Sequence, residues 1–405
     1  MVGVVQRLVD GLADRLGRAV VVDDPELRPL CTSRHFGDED EQRIRSVLQR
    51  DSGFAATRHL LAQGVRRWAA PALVPADADL GMAARLAAPV RLHGCFLGLL
   101  LVIDADHSLT GAERELIGRT ADDVAVHLYA ERLAADEDRA VTERTVGDLL
   151  DGSRARRQEA LAALAAATGE PPAGARTTVT VVEVAAPAGG RGAVDAEDAL
   201  RTAIQHVWPR GAWCCLSRVS AAGACLVETG AGVFAAALRE RAAALVGAVD
   251  ELCGGARASA GIGDDAAGLD EAWRAHRQAL VAADAARRVP GLGPAAVWSE
   301  LGPYATLLQL PEDTAGWETP HPAMRALAAR DSGGRLVETL ESFLDQAGSR
   351  PRTAEALHIH RTTLYYRLDR IAQITGLDLD DGGDRLALHL ALRRARIAAR
   401  RPDRV

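Results

Sequence analysis

The stretch that decides the fold of this chain lies near its C-terminus and reads Thr353-Ala-Glu-Ala-Leu-His-Ile-His-Arg-Thr-Thr-Leu-Tyr-Tyr-Arg-Leu368. Its apolar residues have the spacing of two short helices joined by a tight turn, with Leu357 ending the first helix and Ile359 in the turn. Leu364 and Leu368 then lie on the inner face of the second helix, and the four side chains form a small shared core. The stretch therefore predicts a helix-turn-helix unit.

The ends of the two predicted helices are marked by particular residue types. Thr353 is a preferred N-cap residue, and we expect it to begin the first helix. Ala354 is small at the point where the two helix backbones must approach closely. His358 stands at the turn position that Gly often holds, so its backbone must adopt a conformation that His tolerates better than most non-Gly residues. His358 is the one departure from the usual pattern in this stretch.

The second helix carries polar side chains that the core does not need, and they suit the major groove of double-stranded DNA. A guanidinium near the helix start can reach a guanine edge or a phosphate, threonine hydroxyls can bond phosphates, and backbone N–H groups add partial positive charge. We therefore expect DNA contacts from His360, Arg361, Thr362, Thr363, Tyr365, Tyr366, Arg367 and Arg370. The alternative is an ordinary amphipathic helical hairpin whose basic face is merely solvated.

Charge is distributed unevenly along the chain, which favours the DNA-binding interpretation. Positions 349–405 hold twelve Arg and seven Asp or Glu, a net charge of +5. The whole chain carries −7, so the remaining residues carry about −12. An acidic body with a basic end can present that end to DNA, while its net repulsion discourages non-specific binding.

Three flanking stretches extend the pattern on both sides of the helix-turn-helix, at positions 336–345, 374–379 and 384–392. Together with 353–368 they resemble, in their order along the chain, the C-terminal domain of the PucR/CdaR family of bacterial transcriptional regulators. The resemblance implies a three-part arrangement with an effector-sensing region, a degenerate GGDEF-like middle domain and this DNA-binding end.

With 405 residues, of which 48% are hydrophobic and 25% charged, the chain is expected to form two or three folded domains. It shows no apolar leader and no apolar run long enough to cross a bilayer, so we expect a soluble cytoplasmic protein without a membrane partner. The six Cys show no metal-ligand spacing and are interpreted as reduced structural residues. No phosphate-binding loop or metal motif is found, so no metal or cofactor is predicted.

The first part of the chain has the pattern of a helix, two strands and a helix, followed by a hairpin and a long helix. Positions 88–103, with the turn His93-Gly94, and the following 109–116 look like the second half of a GAF domain. Such domains commonly hold small ligands between the sheet and a variable segment, here about 52–81. A pocket for a small-molecule effector and a GAF-like fold used only for dimerisation both remain open, and no residue identifies a ligand.

A long amphipathic helix is predicted to begin at Thr110, with Glu113 at the capping-box position. The apolar spacing continues through Tyr129 and Leu133 toward Leu149-Leu150, with charged residues between the apolar ones. We expect an extended interdomain helix that transmits the signal and joins two copies of the chain in a homodimer.

The middle region resembles a GGDEF domain in the order of its elements. They are a strand at 177–184, a helix from 195, strands at 212–219 and 224–228, a helix at 233–252, a strand at 257–262 and a helix at 269–285. An active cyclase needs glycines and carboxylates at the hairpin turn to admit guanosine and to hold Mg²⁺. The turn here reads Ser220-Ala-Ala-Gly223 and carries no carboxylate, so we expect the fold without the catalysis.

These patterns predict an α+β multidomain protein with a GAF-like α/β sensor, a central ferredoxin-like domain of the GGDEF type and an all-α helix-turn-helix domain. The expected bounds are 1–136 for the sensor, 137–170 for linker helices, 171–303 for the GGDEF-like domain, 304–334 for a second linker and 335–405 for the DNA-binding domain. The predicted function is a non-enzymatic transcriptional regulator, which acts as a homodimer or larger assembly on a DNA operator in response to a small-molecule effector or partner. The rivals are a nucleotide-converting GGDEF-type enzyme whose C-terminal helices oligomerise, and a scaffold without DNA contact.

Overall fold

The computed structural model describes residues 2–49, 51–185, 195–208, 214–230, 235–254, 257–310 and 321–398. They form a mixed α+β protein with two β-sheets and a helical C-terminal region, which confirms the predicted fold class at that level. Within these ranges no helix combines the length and the apolar character needed to span a bilayer.

Helices and strands are interspersed as far as β10, and only helices follow it in the described residues. The helices are α1 Val2–Leu16, α2 Glu41–Gln49, α3 Phe54–Ala62, α4 Gly111–Leu149, α5 Arg154–Thr168, α6 Ala196–Val207, α7 Ala235–Leu252, α8 Ala272–Arg288, α9 Pro303–Leu307, α10 Pro322–Arg330, α11 Arg335–Asp345, α12 Arg350–Ala356, α13 Arg361–Thr375 and α14 Gly382–Ala398. The strands are β1 Val20–Asp23, β2 Pro29–Thr32, β3 Ala72–Val74, β4 Arg85–Leu92, β5 Cys95–Ile103, β6 Arg176–Val184, β7 Cys214–Ser220, β8 Gly223–Gly230, β9 Ala258–Ile262 and β10 Ala295–Val297.

Strands β1–β5 form an antiparallel sheet in the order β2-β1-β5-β4-β3. One face is covered by α1 and the first part of α4, and Val20 and Val22 belong to the core on that face. Leu99 and Leu101 belong to the core on the opposite face, beneath α3. Because both faces are covered, β5 is a nearly continuous apolar run rather than an alternating one.

Helix α4 begins and runs as the sequence predicts. Thr110 is its N-cap and forms a capping box, because its hydroxyl accepts a hydrogen bond from the Glu113 amide at 3.3 Å and the Glu113 carboxylate accepts one from the Thr110 amide at 2.7 Å. The helix is 39 residues long. Its first part packs on the first sheet, and Val146 and Leu149 near its end are buried against the second. One continuous helix therefore connects the two sheets.

Strands β6–β10 form the second sheet in the order β10-β9-β6-β8-β7, with all neighbours antiparallel except β10, which runs parallel to β9. Helices α6 and α7 pack on one face, and α8 packs on the other together with α5 and the end of α4. The order of elements from β6 to α8 follows the prediction. Positions 212–213 and 233–234, where the prediction placed the first residues of β7 and α7, lie outside the described residues.

The two sheets belong to domains that are docked along α6 and α7. Their apolar residues form one continuous core cluster. At its edge the guanidinium of Arg66 lies 2.5 Å from the Asp198 carboxylate of α6, and that of Arg58 lies 2.6 Å from the Glu251 carboxylate of α7. Apolar burial and ion pairs therefore both fix the position of the first domain on the second.

Four elements of these domains were not predicted. Helix α3 and strand β3 lie in a segment that the sequence left irregular, and β10 follows the last predicted helix of the middle domain. Helix α9 lies at the start of the segment assigned to the second linker, yet its Tyr304 and Leu307 are buried in a cluster with residues of α8. β3 and β10 have three residues each, which are too few for a periodicity to be recognised. Both lie at the edge of a sheet, where pairing with a longer neighbour determines the strand.

Strand β9 and helix α8 approach each other closely at two glycines. A Cβ atom at Gly261 would collide with the backbone of Ala279 and Ala283, and one at Gly263 would collide with the backbone of Ala275. A side chain at either position cannot be accommodated unless α8 moves away from the sheet.

Gly261→Ala should therefore lower the free energy of unfolding by about 2 kcal/mol or more, because a clash with backbone atoms cannot be relieved by a side-chain rotation. Thermal unfolding followed by circular dichroism measures the effect. Gly247→Ala is the matched control, since Gly247 is exposed on α7 with open space around it; this change should raise the stability by up to about 1 kcal/mol. Equal melting temperatures for Gly261→Ala and the unmodified protein would contradict the close approach.

Asp23, at the end of β1, is a buried carboxyl group near Arg43 of α2. It is 2% exposed. Burial raises the pKa of Asp23 to about 7, although attraction to the Arg43 guanidinium acts in the opposite direction. The folded protein therefore favours the neutral form of this carboxyl group.

Between about pH 4 and 7 the unfolded chain releases the Asp23 proton while the folded chain keeps it, so this residue makes the free energy of unfolding fall as the pH rises. Below that range the Asp23 carboxyl group is protonated in both the folded and the unfolded chain, so it does not lower the free energy of unfolding. Asp23→Asn removes the titration, so the variant should melt at a higher temperature than the unmodified protein at about pH 8 and at nearly the same temperature at about pH 4. Thermal melts at the two pH values test this, and a difference that does not depend on pH would refute it.

Candidate nucleic-acid interface

The C-terminal region is a bundle of helices, α10–α14, around one apolar core. Phe343 of α11 and Leu364 of α13 are fully buried in it. Helix α10 was not predicted, because it lies within 304–334, which the sequence assigned to a linker. Its Met324 and Leu327 nevertheless belong to the core, so the bundle begins at position 322. Positions 311–320 and 399–405 lie outside the described residues.

Helix α12 begins one turn earlier than the sequence predicts. Ser349 is its N-cap, and Pro351 lies in its first turn. Thr353 is inside the helix and buried, and its hydroxyl donates a hydrogen bond to the Ser349 carbonyl at 2.8 Å. The prediction of Thr353 as N-cap is therefore wrong. Pro351 was the better signal, since proline fits the first helical turn, where its missing N–H leaves no bond unmade.

The turn between α12 and α13 closes through His358. Its φ is 51°, in the left-handed region, which confirms the unusual conformation expected of this residue. The His358 amide donates to the Glu355 carbonyl at 3.0 Å, and the Ile359 amide donates to the Ala354 carbonyl at 3.0 Å. These two bonds satisfy carbonyl groups at the end of α12 and set the direction in which the chain enters α13.

Helix α13 begins at Arg361, with His360 as its N-cap rather than as a residue of the helix. The His360 Nδ1 atom accepts a hydrogen bond from the Thr362 amide at 3.4 Å and lies 2.8 Å from the Thr362 hydroxyl. The His360 side chain is exposed, and its contact with Thr362 holds the imidazole ring over the start of the helix.

The inner face of α13 is apolar, as predicted. Leu364, Leu368 and Ile371 are buried in the bundle core. Leu357 and Ile359, which were expected to share this core, are only half-buried, and Ile359 packs against its edge. The buried side chains fix the rotation of α13 about its own axis.

The outer face of α13 is polar and exposed. Thr362, Tyr366 and Arg370 follow one another at four-residue spacing along this face. Arg361 and Thr363 are exposed as well, and 72% of the Tyr366 surface is accessible. A tyrosine with so little contact contributes little to folding, so its ring and hydroxyl are available to a partner.

Two of the predicted contact residues also have partners inside the bundle. Arg367 is half-buried and donates a hydrogen bond to the Thr339 hydroxyl of α11 at 3.1 Å. Tyr365 is 50% exposed, and the guanidinium of Arg350 in α12 lies 5.7 Å from the centre of its ring. Both side chains lie at the border of the outer face and brace α13 against its neighbours.

The basic charge of this region is only partly available to a partner. Three of its arginines are held by carboxylates of the bundle in the pairs Arg393–Asp345, Arg396–Glu341 and Arg350–Asp380. In the part of the chain that the structure describes, Arg352 of α12 and Arg361 of α13 are exposed and have no ion-pair partner. Arg352 is not among the predicted contacts, although it directly precedes Thr353, the predicted start of the first helix. Within the described residues, exposed arginines without an ion-pair partner also lie on α10 (Arg325 and Arg330), at the start of α11 (Arg335) and on the outer face of α13 (Arg370), so the accessible positive charge extends over several helices of the bundle.

The turn between β7 and β8 in the middle domain carries no acidic side chain. The Ser220 hydroxyl donates to the Gly223 carbonyl across it at 3.2 Å. Glu183 of β6 pairs with Gly223 in the sheet register, and burial raises the pKa of its carboxyl group. Among the described residues no three His, Cys, Asp or Glu side chains are grouped so that they could hold a metal ion. A two-metal nucleotide site needs more carboxylates than this turn and Glu183 provide.

The segment 52–81, for which the sequence left both a ligand pocket and a purely structural role open, packs apolar side chains onto the first sheet, among them Leu60 and Val65. A cavity of about 450 Å³ lies elsewhere, between α4, α6 and β7, and Arg139, Arg201 and Trp208 are among its lining residues. That volume is within the range of small-molecule sites.

The match to a known protein family lies in the C-terminal bundle. Residues 336–394 match the family described as the PucR C-terminal helix-turn-helix domain. The carbohydrate diacid regulator of Escherichia coli (strain K12) is 46% identical over 66 residues, which are 16% of this chain and 17% of that protein. The proline-responsive transcriptional activator PutR of Bacillus subtilis (strain 168) is 33% identical over 97 residues, 24% of each chain. The chain thus spans a quarter or less of the length of these two relatives.

A solved structure, the regulator of polyketide synthase expression from Bifidobacterium adolescentis, is 20% identical and covers 65% of this chain and 99% of its own, with a TM-score of 0.29. A similarity at that TM-score carries no argument about the fold. The family match stands apart from it, because it covers α12, the His358 turn and α13 in the order that the geometry shows. Residues 336–394 are therefore similar to the PucR C-terminal helix-turn-helix domain in both sequence and the order of their helices.

Proposed function

We propose that the chain is a sequence-specific transcriptional regulator that binds double-stranded DNA through α13. The observation that carries the proposal is the exposed outer face of α13, where Thr362, Tyr366 and Arg370 project from a helix whose inner face is buried in the core. In helix-turn-helix proteins the second helix enters the major groove, and its N-terminal residues contact base edges. The names of the two relatives, a regulator and a transcriptional activator, agree with this function.

The residues of α13 have different roles in this docking. Arg361 is placed for a guanine edge or a phosphate, and Tyr366 for a base or sugar contact in the groove. Arg352 and Arg370 reach phosphates at the two sides of the groove. Thr362 makes a contact on the outer face beside Tyr366. The remaining members of the predicted set make contacts at the border of the interface, namely His360, Thr363, Tyr365 and Arg367.

Asp369 limits the sequences that α13 accepts. It is exposed on the outer face, next to Tyr366 along the helix. A carboxylate there repels phosphates but accepts a hydrogen bond from the amino group of cytosine. We therefore expect this residue to favour cytosine at one position of the operator.

The N-terminal and middle domains are proposed to control DNA binding in response to a small molecule or partner protein. We interpret the first as GAF-like and the second as ferredoxin-like of the GGDEF type, within the bounds expected from the sequence and with α10 added to the DNA-binding domain. In support, the elements from β6 to β9 follow the order βαββαβ, and the first and third strands are neighbours in the sheet. The cavity beside α4 and α6 offers a site of suitable volume for a small effector.

A nucleotide-converting enzyme is the second candidate, and the composition of the β7–β8 turn argues against it. Incubation of the full chain with GTP and Mg²⁺, followed by chromatography of the nucleotides, should show no turnover, because the turn supplies no carboxylate to hold the metal. Formation of a cyclic dinucleotide or of GDP would favour the enzyme. Lack of a salt-dependent mobility shift on its own promoter would separately count against the regulator.

Arg361→Ala and Tyr366→Ala should each weaken operator binding by about 1 to 3 kcal/mol without unfolding the bundle, because both side chains are exposed in the free protein. The measurement is a titration of the operator followed by fluorescence anisotropy at several salt concentrations. Loss of a phosphate contact at Arg361 would also reduce the salt dependence, by about one unit of the logarithmic slope.

Arg154→Ala is the matched control for these two variants, since Arg154 is exposed on α5 outside the helix-turn-helix domain. Its operator affinity should equal that of the unmodified chain. Unchanged affinity in both Arg361→Ala and Tyr366→Ala would refute the assigned contacts.

A further inference from the structure

One face of α4 is left uncovered by the rest of the described chain. Val126, Leu133 and Val141 on this face are 58%, 51% and 57% exposed, and Ala130 and Ala140 between them are exposed as well. Large apolar side chains that recur every seven or eight residues on the open side of a helix mark a surface suited to another helix.

This face, called here the α4 stripe, has charged residues at both ends. Successive members are three or four residues apart, except for the neighbours Ala140 and Val141, and at 3.6 residues per turn all of them share one sector of the helix about 100° wide. The stripe consists of Arg119, Asp122, Val126, Ala130, Leu133, Glu137, Ala140, Val141 and Arg144.

Two opposite charges of the stripe, Asp122 and Arg144, are arranged symmetrically about its centre, whereas Arg119 and Glu137 have no charged counterpart in the same relation. Leu133 lies midway between Asp122 and Arg144, eleven residues from each. Both charged residues are exposed, and neither has an ion-pair partner within the described ranges. A two-fold axis through Leu133 and perpendicular to α4 would bring Asp122 of one copy opposite Arg144 of the other, twice per dimer. The same axis would set Val126 against Ala140 and Val141.

A parallel pairing of the stripes would have the opposite effect. In register it would place each charged residue beside its own copy, with Asp122 against Asp122, Glu137 against Glu137 and Arg144 against Arg144. Like charges at a helix interface cost affinity and exclude wrong arrangements. The charge pattern therefore favours a second copy of this chain in the antiparallel direction.

We propose that the chain forms a homodimer in which the two α4 stripes pack antiparallel about Leu133, with Asp122 and Arg144 paired between subunits. Dimer formation can be measured without DNA, so its test is independent of the proposed DNA binding. The dimer would give the two helix-turn-helix domains the two-fold relation that a two-fold operator requires.

The test is sedimentation equilibrium of the full chain and its variants over a range of concentrations. Leu133→Glu should shift the protein to the monomer, and Leu48→Glu, at a 79% exposed leucine of α2, is the control that should remain dimeric. Asp122→Arg and Arg144→Asp should each raise the dimer dissociation constant about tenfold, because each converts two attractive pairs into two repulsive ones. The double variant Asp122→Arg/Arg144→Asp should recover most of that loss. Circular dichroism verifies that each variant remains folded.

The charge exchange separates this arrangement from its alternatives. A parallel dimer keeps like charges opposed in the single and double variants, so it would show no recovery, and that result would overturn the proposal. A monomeric unmodified protein, or a dimer unaffected by Leu133→Glu, would overturn it too, the latter by locating the interface elsewhere. Recovery in the double variant after loss in both single variants would support it.

Discussion

Burial of the inner face of α13 against the bundle core is the constraint on which the rest of the candidate site depends. Leu364, Leu368 and Ile371 are removed from water together in only one rotational setting of the helix, and full burial stabilises each by about 1.5 to 3 kcal/mol. The same setting turns Thr362 and Tyr366 outward. Burial of the apolar side chains therefore also fixes the orientation of the polar ones. Thr362 and Tyr366 need no strong interaction of their own to remain on the outer face.

Elements with a strong local signal could be predicted from the sequence, because the forces that form them act between near neighbours. The capping box of Thr110 and Glu113, the apolar inner face of α13 and the strained backbone at His358 are of this kind. The exposure of Arg361 and Tyr366 follows from the same periodicity. Each feature depends on residues no more than about four positions apart.

Other features could not be predicted, because they depend on contacts between distant parts of the chain. Helix α10 is stabilised by burial of Met324 and Leu327 in a core formed by later helices. Arg367 was assigned to the surface, yet it bonds to Thr339, which is 28 positions earlier. The positive charge available to DNA is likewise smaller than the net charge of the C-terminal region suggests. Several arginines are paired with carboxylates elsewhere in the bundle, and a count of charged residues does not reveal which ones.

The length of α4 has a mechanical consequence for communication between the domains. Its 39 residues make a rod about 58 Å long. A rod of that length acts as a lever, since a tilt of about 10° at one end displaces the other by about 10 Å. The shared apolar core and the Arg66–Asp198 and Arg58–Glu251 pairs hold the first domain on the second beside this rod. Because the two ends of α4 are buried against different sheets, a tilt of the helix would disturb the packing of both.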